Sequence, residues 1–146
     1  NYEHAFEVMP VLVSFIPMLM DTGGNCGSQS STLIIRGLAI DEIKFSDFFK
    51  VVFKEFRISI VVGIMLGIAN GIRIVLLNHD VYLAFVVSAS IVVTVMISKF
   101  VGCVLPIVAK RLKMDPAIMA APLITTIVDT LAIMVYFSIA SQIFNL

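Results

Sequence analysis

Met20 to Thr32 reads MDTGGNCGSQSST, a run of small and polar residues inside an otherwise apolar stretch. Apolar sequence precedes it from Pro10 to Leu19 and resumes from Leu33 to Ile35. Backbone left unpaired toward lipid is too costly to persist, so polar or irregular chain at membrane depth belongs against protein or water. Gly23-Gly24-Asn25 in that setting reads as the lining of a cavity. The stretch points to the passage of something polar across a bilayer.

The surrounding chain supplies the membrane. Its 146 residues are 60% hydrophobic and only 14% charged, against about a quarter charged in soluble domains, and the mean hydropathy is +1.06. Strands of a membrane barrel would alternate over segments of roughly ten residues, and none of the long apolar runs does so. The expected fold class is an all-α integral membrane protein. Net charge is zero and by itself says nothing about partners; as a membrane protein the chain is expected to meet lipid and no nucleic acid.

Four hydrophobic segments, about 9–38, 58–77, 82–109 and 116–144, are each expected to form a transmembrane helix, since about 20 apolar residues span the hydrocarbon core. Pro17 and Pro122 fall inside the first and last segments. Each removes a helix hydrogen bond, so these two helices are expected to be broken, as simple kinks or as ligand-lining breaks. Pro106 in the third reads as a kink. Gly63, Gly67 and Gly71 sit at four-residue spacing in the second segment, which suits close helix packing within the chain or between subunits. Asp115-Pro116 reads as the cap and first turn of the fourth helix.

Eight of the ten Lys and Arg residues (Arg36, Lys44, Lys50, Lys54, Arg57, Lys110, Arg111 and Lys113) fall on one side of these spans. That side is expected to be cytoplasmic, in a plasma or inner cell membrane, with both termini outside. Residues about 41–57 interleave Phe45, Phe48, Phe49, Phe53 and Phe56 with charges and read as an amphipathic interfacial linker. Cys26 and Cys103 read as free buried thiols. The chain starts at Asn1 without an initiator Met and has no signal-peptide pattern.

Asp129 lies 13 residues beyond Pro116, about 20 Å along a helix, which is near mid-membrane. A carboxylate there is costly unless paired or hydrated, and marks a functional site by default. Thr125 lies one turn earlier on the same face, with Thr126 and Pro122 beside it. Asp21, Asn25 and Gln29 follow at four-residue spacing, and Gly23, Gly24 and Gly27 would let the backbone open and present carbonyl oxygens. Carboxylate, amide and carbonyl are hard oxygen ligands suited to Mg2+, Mn2+ or Ca2+. One Asp129 offers one negative charge against an ion's two, so a homodimer with both Asp129 carboxylates on one axial pore is expected. Lys99 is expected either to snorkel toward the cytoplasm or to pair with Asp21 or Asp129. No nucleotide loop and no catalytic triad is present, so the chain is not expected to be an enzyme.

These residues resemble a known family. Pro17-x5-Gly23-Gly24-Asn25-x3-Gln29-Ser30, followed by Leu33-Ile34-Ile35-Arg36-Gly37, looks like the second transmembrane helix of the MgtE family of magnesium channels. Leu105-Pro106, Lys113-x-Asp115-Pro116-Ala117 and Pro122-Leu123-x-Thr125-Thr126-x2-Asp129 resemble that family's last two helices. The resemblance covers nearly the whole chain. It implies a homodimer with a magnesium-conducting axial pore. Asp129 matches the pore aspartate, Asn25 and the glycine backbone at Gly24 its neighbours, and Thr125 the position one turn before. Family members usually carry a cytoplasmic N domain, paired CBS domains, a linking helix and a further transmembrane helix before this region. The chain is therefore expected to be the core of a longer protein or a reduced member lacking that gate. A sodium- or proton-coupled divalent cation carrier is the alternative, since a broken first helix suits such carriers. A non-conducting membrane scaffold is a third reading.

Overall fold

The computed structural model describes residues 9–119 and 121–144. A helical lead-in over residues 9–14 passes through a turn at Phe15 into α1 (Ile16–Ala39). A 3-10 turn at Phe45–Asp47 leads into α2 (Phe48–Asn78), followed by α3 (Val81–Arg111), a second 3-10 turn at Pro116–Met119 and α4 (Ala121–Phe144). The described chain is all-helical. Among the described residues, three stretches are long and apolar enough to cross a membrane: Phe45–Asn78, Val81–Arg111 and Ala121–Phe144. Four spans were expected; α1, which carries the polar run and Asp21, is not one of these three.

The chain connections follow from local chemistry. α2 ends where His79 takes a left-handed conformation, φ 53°, and its N–H donates to the Val75 carbonyl. Asp80 then caps α3, its side chain accepting from the Leu83 N–H at 3.0 Å, so α2 and α3 form a tight antiparallel hairpin. The glycine stripe of α2 closes that hairpin. A Cβ on Gly63 would lie 3.2 Å from the Val92 Cα, and one on Gly67 3.2 Å from the Ser88 carbonyl oxygen. Ser88 Oγ donates to the Gly67 carbonyl at 2.8 Å. Of the two uses open to this stripe, the structure shows packing inside the chain.

α3 is central, contacting α1, α2 and α4. The main core gathers Leu12, Leu19, Val86, Val87, Ile91, Val95 and Tyr136, all at most 2% exposed. A second cluster at the loop end joins Ile34 and Leu38 of α1 to Cys103 and Ile107 of α3, with Phe48, Val51 and Val52 of α2 packed on it. Both cysteines are buried and free.

The breaks expected in the first and last helices lie elsewhere. α1 runs unbroken through Gly23, Gly24 and Gly27. Its interruption falls at Phe15, just before Pro17, which occupies the first turn of α1. The glycines serve close approach instead. A Cβ on Gly27 would meet Ser98 Oγ and Ile124 Cγ2 at 2.8 Å, and one on Gly102 would collide with the Gly27 carbonyl. Opening the helix there would forfeit that packing. At the other end, Asp115 organises only the 3-10 turn, accepting from the Ala117 N–H at 2.9 Å. α4 starts at Ala121, so Pro122 stands in its first turn, where no helical N–H is lost. Asp129 thus lies eight residues from the start of its helix, about 12 Å along the axis. Likewise the amphipathic linker is no separate helix: from Phe48 it continues without interruption into the second span.

Candidate cation site

α1 and α4 cross at Gly24. A Cβ there would sit 3.0 Å from Thr125 Cγ2 and 3.9 Å from Asp129 Oδ1, so a side chain at this position would press on Thr125 and the glycine eases the close approach of the two helices. Beside the crossing, Met20, Asp21, Gly24, Asn25, Thr125 and Asp129 line a cavity of about 200 Å³. The structure therefore brings Asp129, Asn25, Gly24, Thr125 and Asp21 to one place. Met20 joins them without having been expected.

Asp129 is half-buried, and among the described residues no donor reaches its carboxylate. Thr125 Oγ1 donates to the Pro122 carbonyl at 3.0 Å, and Thr126 Oγ1 to the same carbonyl at 2.8 Å. Those two hydroxyls secure the first turn of α4. Thr126 and Pro122 support the helix from outside the cavity. Gly23 faces the other way: its carbonyl accepts from Ser98 Oγ of α3. Gln29 lines an adjoining cavity of about 480 Å³ with Asn25, Ser28, Thr32 and Leu33.

Asp21, Asn25, Gln29 and Thr32 are all exposed and follow at three- or four-residue spacing on one face of α1. A polar face on a chain this apolar needs water or another protein surface against it. The two carboxylates beside it give the cavity a negative sign, and no Lys or Arg lines it. No cluster of three or more His, Cys, Asp or Glu exists among the described residues. A cation here would be met by two carboxylates, an amide and hydroxyl or carbonyl oxygens, a set suited to a hard ion that keeps part of its water shell.

Lys99 neither snorkels nor joins Asp21 or Asp129. Its residue is 6% exposed. Lys99 Nζ lies 3.4 Å from Glu55 Oε2 and donates to Ser30 Oγ at 3.1 Å, while Ser30 Oγ donates to Glu55 Oε2 at 2.6 Å. A cation buried this deeply takes the nearest buried anion. The snorkelling reading fails because Glu55 sits on the buried face of α2. The sequence contains the signal: Glu55, Ser59, Gly63, Gly67 and Gly71 follow one another every four residues. Glu55 therefore extends the glycine stripe toward the helix N-terminus.

The family model MgtE, described as a divalent cation transporter, matches residues 16–139. Among curated proteins, the magnesium transporter MgtE of Bacillus subtilis is 36% identical over 140 residues, covering 96% of this chain and 31% of that protein. The protein of the same name from Thermus thermophilus is 34% identical over 140 residues, again covering 96% of this chain and 31% of the relative. The Enterococcus faecalis magnesium transporter MgtE is 30% identical over 142 residues, covering 97% and 31%. The chain thus spans about a third of the length of the curated relatives it matches.

Proposed function

This chain belongs to the MgtE family of divalent cation transporters, and from that premise we propose that it conducts Mg2+ across a cell membrane. Two copies enclose an axial pore, with Asp129 as the central carboxylate. The observation that carries the reading is the cavity at the α1–α4 crossing, where Asp129, beside Asp21 and Asn25, meets no donor among the described residues. An anionic group held at membrane depth without a partner among the described residues is poised for a mobile cation. Mg2+ sheds water reluctantly, so the oxygens of Asp129, Asn25 and Thr125 are suited to hold it through its waters, at the close approach that Gly24 allows. Such a site binds weakly enough to release the ion. Mn2+ and Ca2+ share the ligand preference and are expected to compete.

The exposed polar face of α1 supports the second copy. Asp21, Asn25, Gln29 and Thr32 are left exposed by the described residues, and a twofold partner would turn both faces onto one water-filled path. Cytoplasmic regulatory domains of a longer protein would act on this core from the basic side. The coupled-carrier reading rested on a broken first helix, and α1 is continuous through its glycines.

Ion flux tests the proposal. Reconstituted into liposomes, the chain is expected to admit Mg2+ down its gradient with sodium and pH equal on both sides. Uptake that appears only with an imposed sodium or pH gradient would identify a coupled carrier. No uptake from correctly assembled protein would leave the scaffold reading.

A further inference from the structure

We propose that the face of α2 from Lys50 to Val62 is a binding site for an anionic phospholipid of the leaflet on the basic side. Lys50, Phe53, Lys54, Arg57, Ile58, Val61 and Val62 line an open cavity of about 670 Å³. They recur at three- and four-residue spacing, so they share one helix face. The face runs about 18 Å along the axis, more than half of a hydrocarbon core of about 30 Å.

The lining divides along its length as an amphiphile does. The cations occupy the first two turns, and Ile58, Val61 and Val62 the remainder. Phe53, 63% exposed, stands among the cations with the Arg57 guanidinium 6.0 Å from its ring centroid, an aromatic placement suited to the membrane–water interface. The cations are also unspent. Lys50 reaches Asp47 only at 3.8 Å with its side chain 85% exposed, and among the described residues no carboxylate pairs with Lys54 or Arg57. Glu55, their nearest acidic neighbour in sequence, is turned to the opposite side of the helix and held by Lys99 and Ser30.

This arrangement fits a phosphate among Lys50, Lys54 and Arg57 beside the Phe53 ring, a glycerol backbone near Arg57 and Ile58, and an acyl chain over Val61 and Val62. A free phosphate would use only the upper half. The helix face that packs against the rest of the chain carries Glu55, Ser59, Gly63 and Gly67, so the lipid face lies outside the core except at its end, where Val62 also packs against it. The site stands apart from ion conduction and is read without it, so failure of one does not entail failure of the other.

The chain contains no tryptophan, so Phe53→Trp provides a single fluorophore at the site. The full chain would be reconstituted into vesicles in which either phosphatidylglycerol or phosphatidylcholine carries brominated acyl chains. Quenching by brominated phosphatidylglycerol is expected at mole fractions at least about tenfold lower than by brominated phosphatidylcholine, since each cation near an anionic surface contributes about fivefold. Adding Lys50→Gln, Lys54→Gln and Arg57→Gln should abolish that preference. The charge-keeping set Lys50→Arg, Lys54→Arg and Arg57→Lys should retain it. Equal quenching by both lipids, or a preference that survives the neutral triple variant, would overturn the proposal. So would displacement by millimolar inorganic phosphate, which indicates a free-anion site, or absence of quenching by either lipid, which indicates that a second copy covers the face.

Discussion

Replacing Asp129 with alanine is expected to reduce magnesium uptake to that of protein-free liposomes while leaving assembly and fold unchanged. The carboxylate lies in the cavity at the α1–α4 crossing, and among the described residues it accepts no hydrogen bond, so its removal orphans no donor. Holding an unpaired carboxylate at membrane depth costs about 2.5–3.5 kcal/mol on insertion scales. The alanine variant should therefore melt at the same temperature as the parent or higher. A residue that costs stability and carries activity is the pattern expected of a functional site. Asp129→Asn keeps the shape and an oxygen ligand but loses the charge, and should fall between the two in flux. Uptake by Asp129→Ala equal to the parent would remove Asp129 from the conduction path.

Lys99→Met is expected to behave oppositely, as a large loss of stability. Methionine leaves the Glu55 carboxylate buried, at 6% exposure, with only Ser30 as a donor. Removing one partner of a buried ion pair costs about 3–5 kcal/mol, because the remaining charge is uncompensated. Glu55→Leu strands Lys99 in the same way. The double variant removes both charges and should recover most of the loss, since apolar replacement of a whole buried pair is often neutral. A denaturant titration of parent, both single variants and the double variant completes the cycle. Additive losses would show that the two charges do not depend on each other. The triad ties three elements together, with Ser30 on α1, Glu55 on α2 and Lys99 on α3. The second apolar cluster around Ile34, Cys103 and Phe48 joins the same three helices beside it.

How far the sequence could be read follows from what each signal depends on. Helical, membrane-like character rests on apolar runs, which composition and length report directly. The gathering of Asp129, Thr125, Asn25 and Gly24 could be anticipated because a carboxylate and a glycine-rich polar run in apolar segments have few tolerable environments. The role of the glycines was not legible in the same way. Glycine permits an open backbone and a close helix crossing equally, and only the positions of Ser98, Gly102, Ile124 and Thr125 decide for the crossing. Pro122 misled for a related reason: a proline inside an apolar run and one in a helix's first turn look alike until the start of the helix is known. The partner of Lys99 required a long-range contact between residues 44 positions apart. The four-residue stripe from Glu55 to Gly71 was the one local clue to it.

The central claim is that one ion sits between two copies of Asp129. Anomalous diffraction from crystals of the chain soaked with Mn2+, which shares the oxygen-ligand preference of Mg2+, tests it most directly. A manganese peak is expected on a twofold axis, flanked by Asp129 of both copies, with Asn25 close by. A peak held within one protomer away from Asp129, or two Asp129 carboxylates too far apart to share an ion, would contradict it.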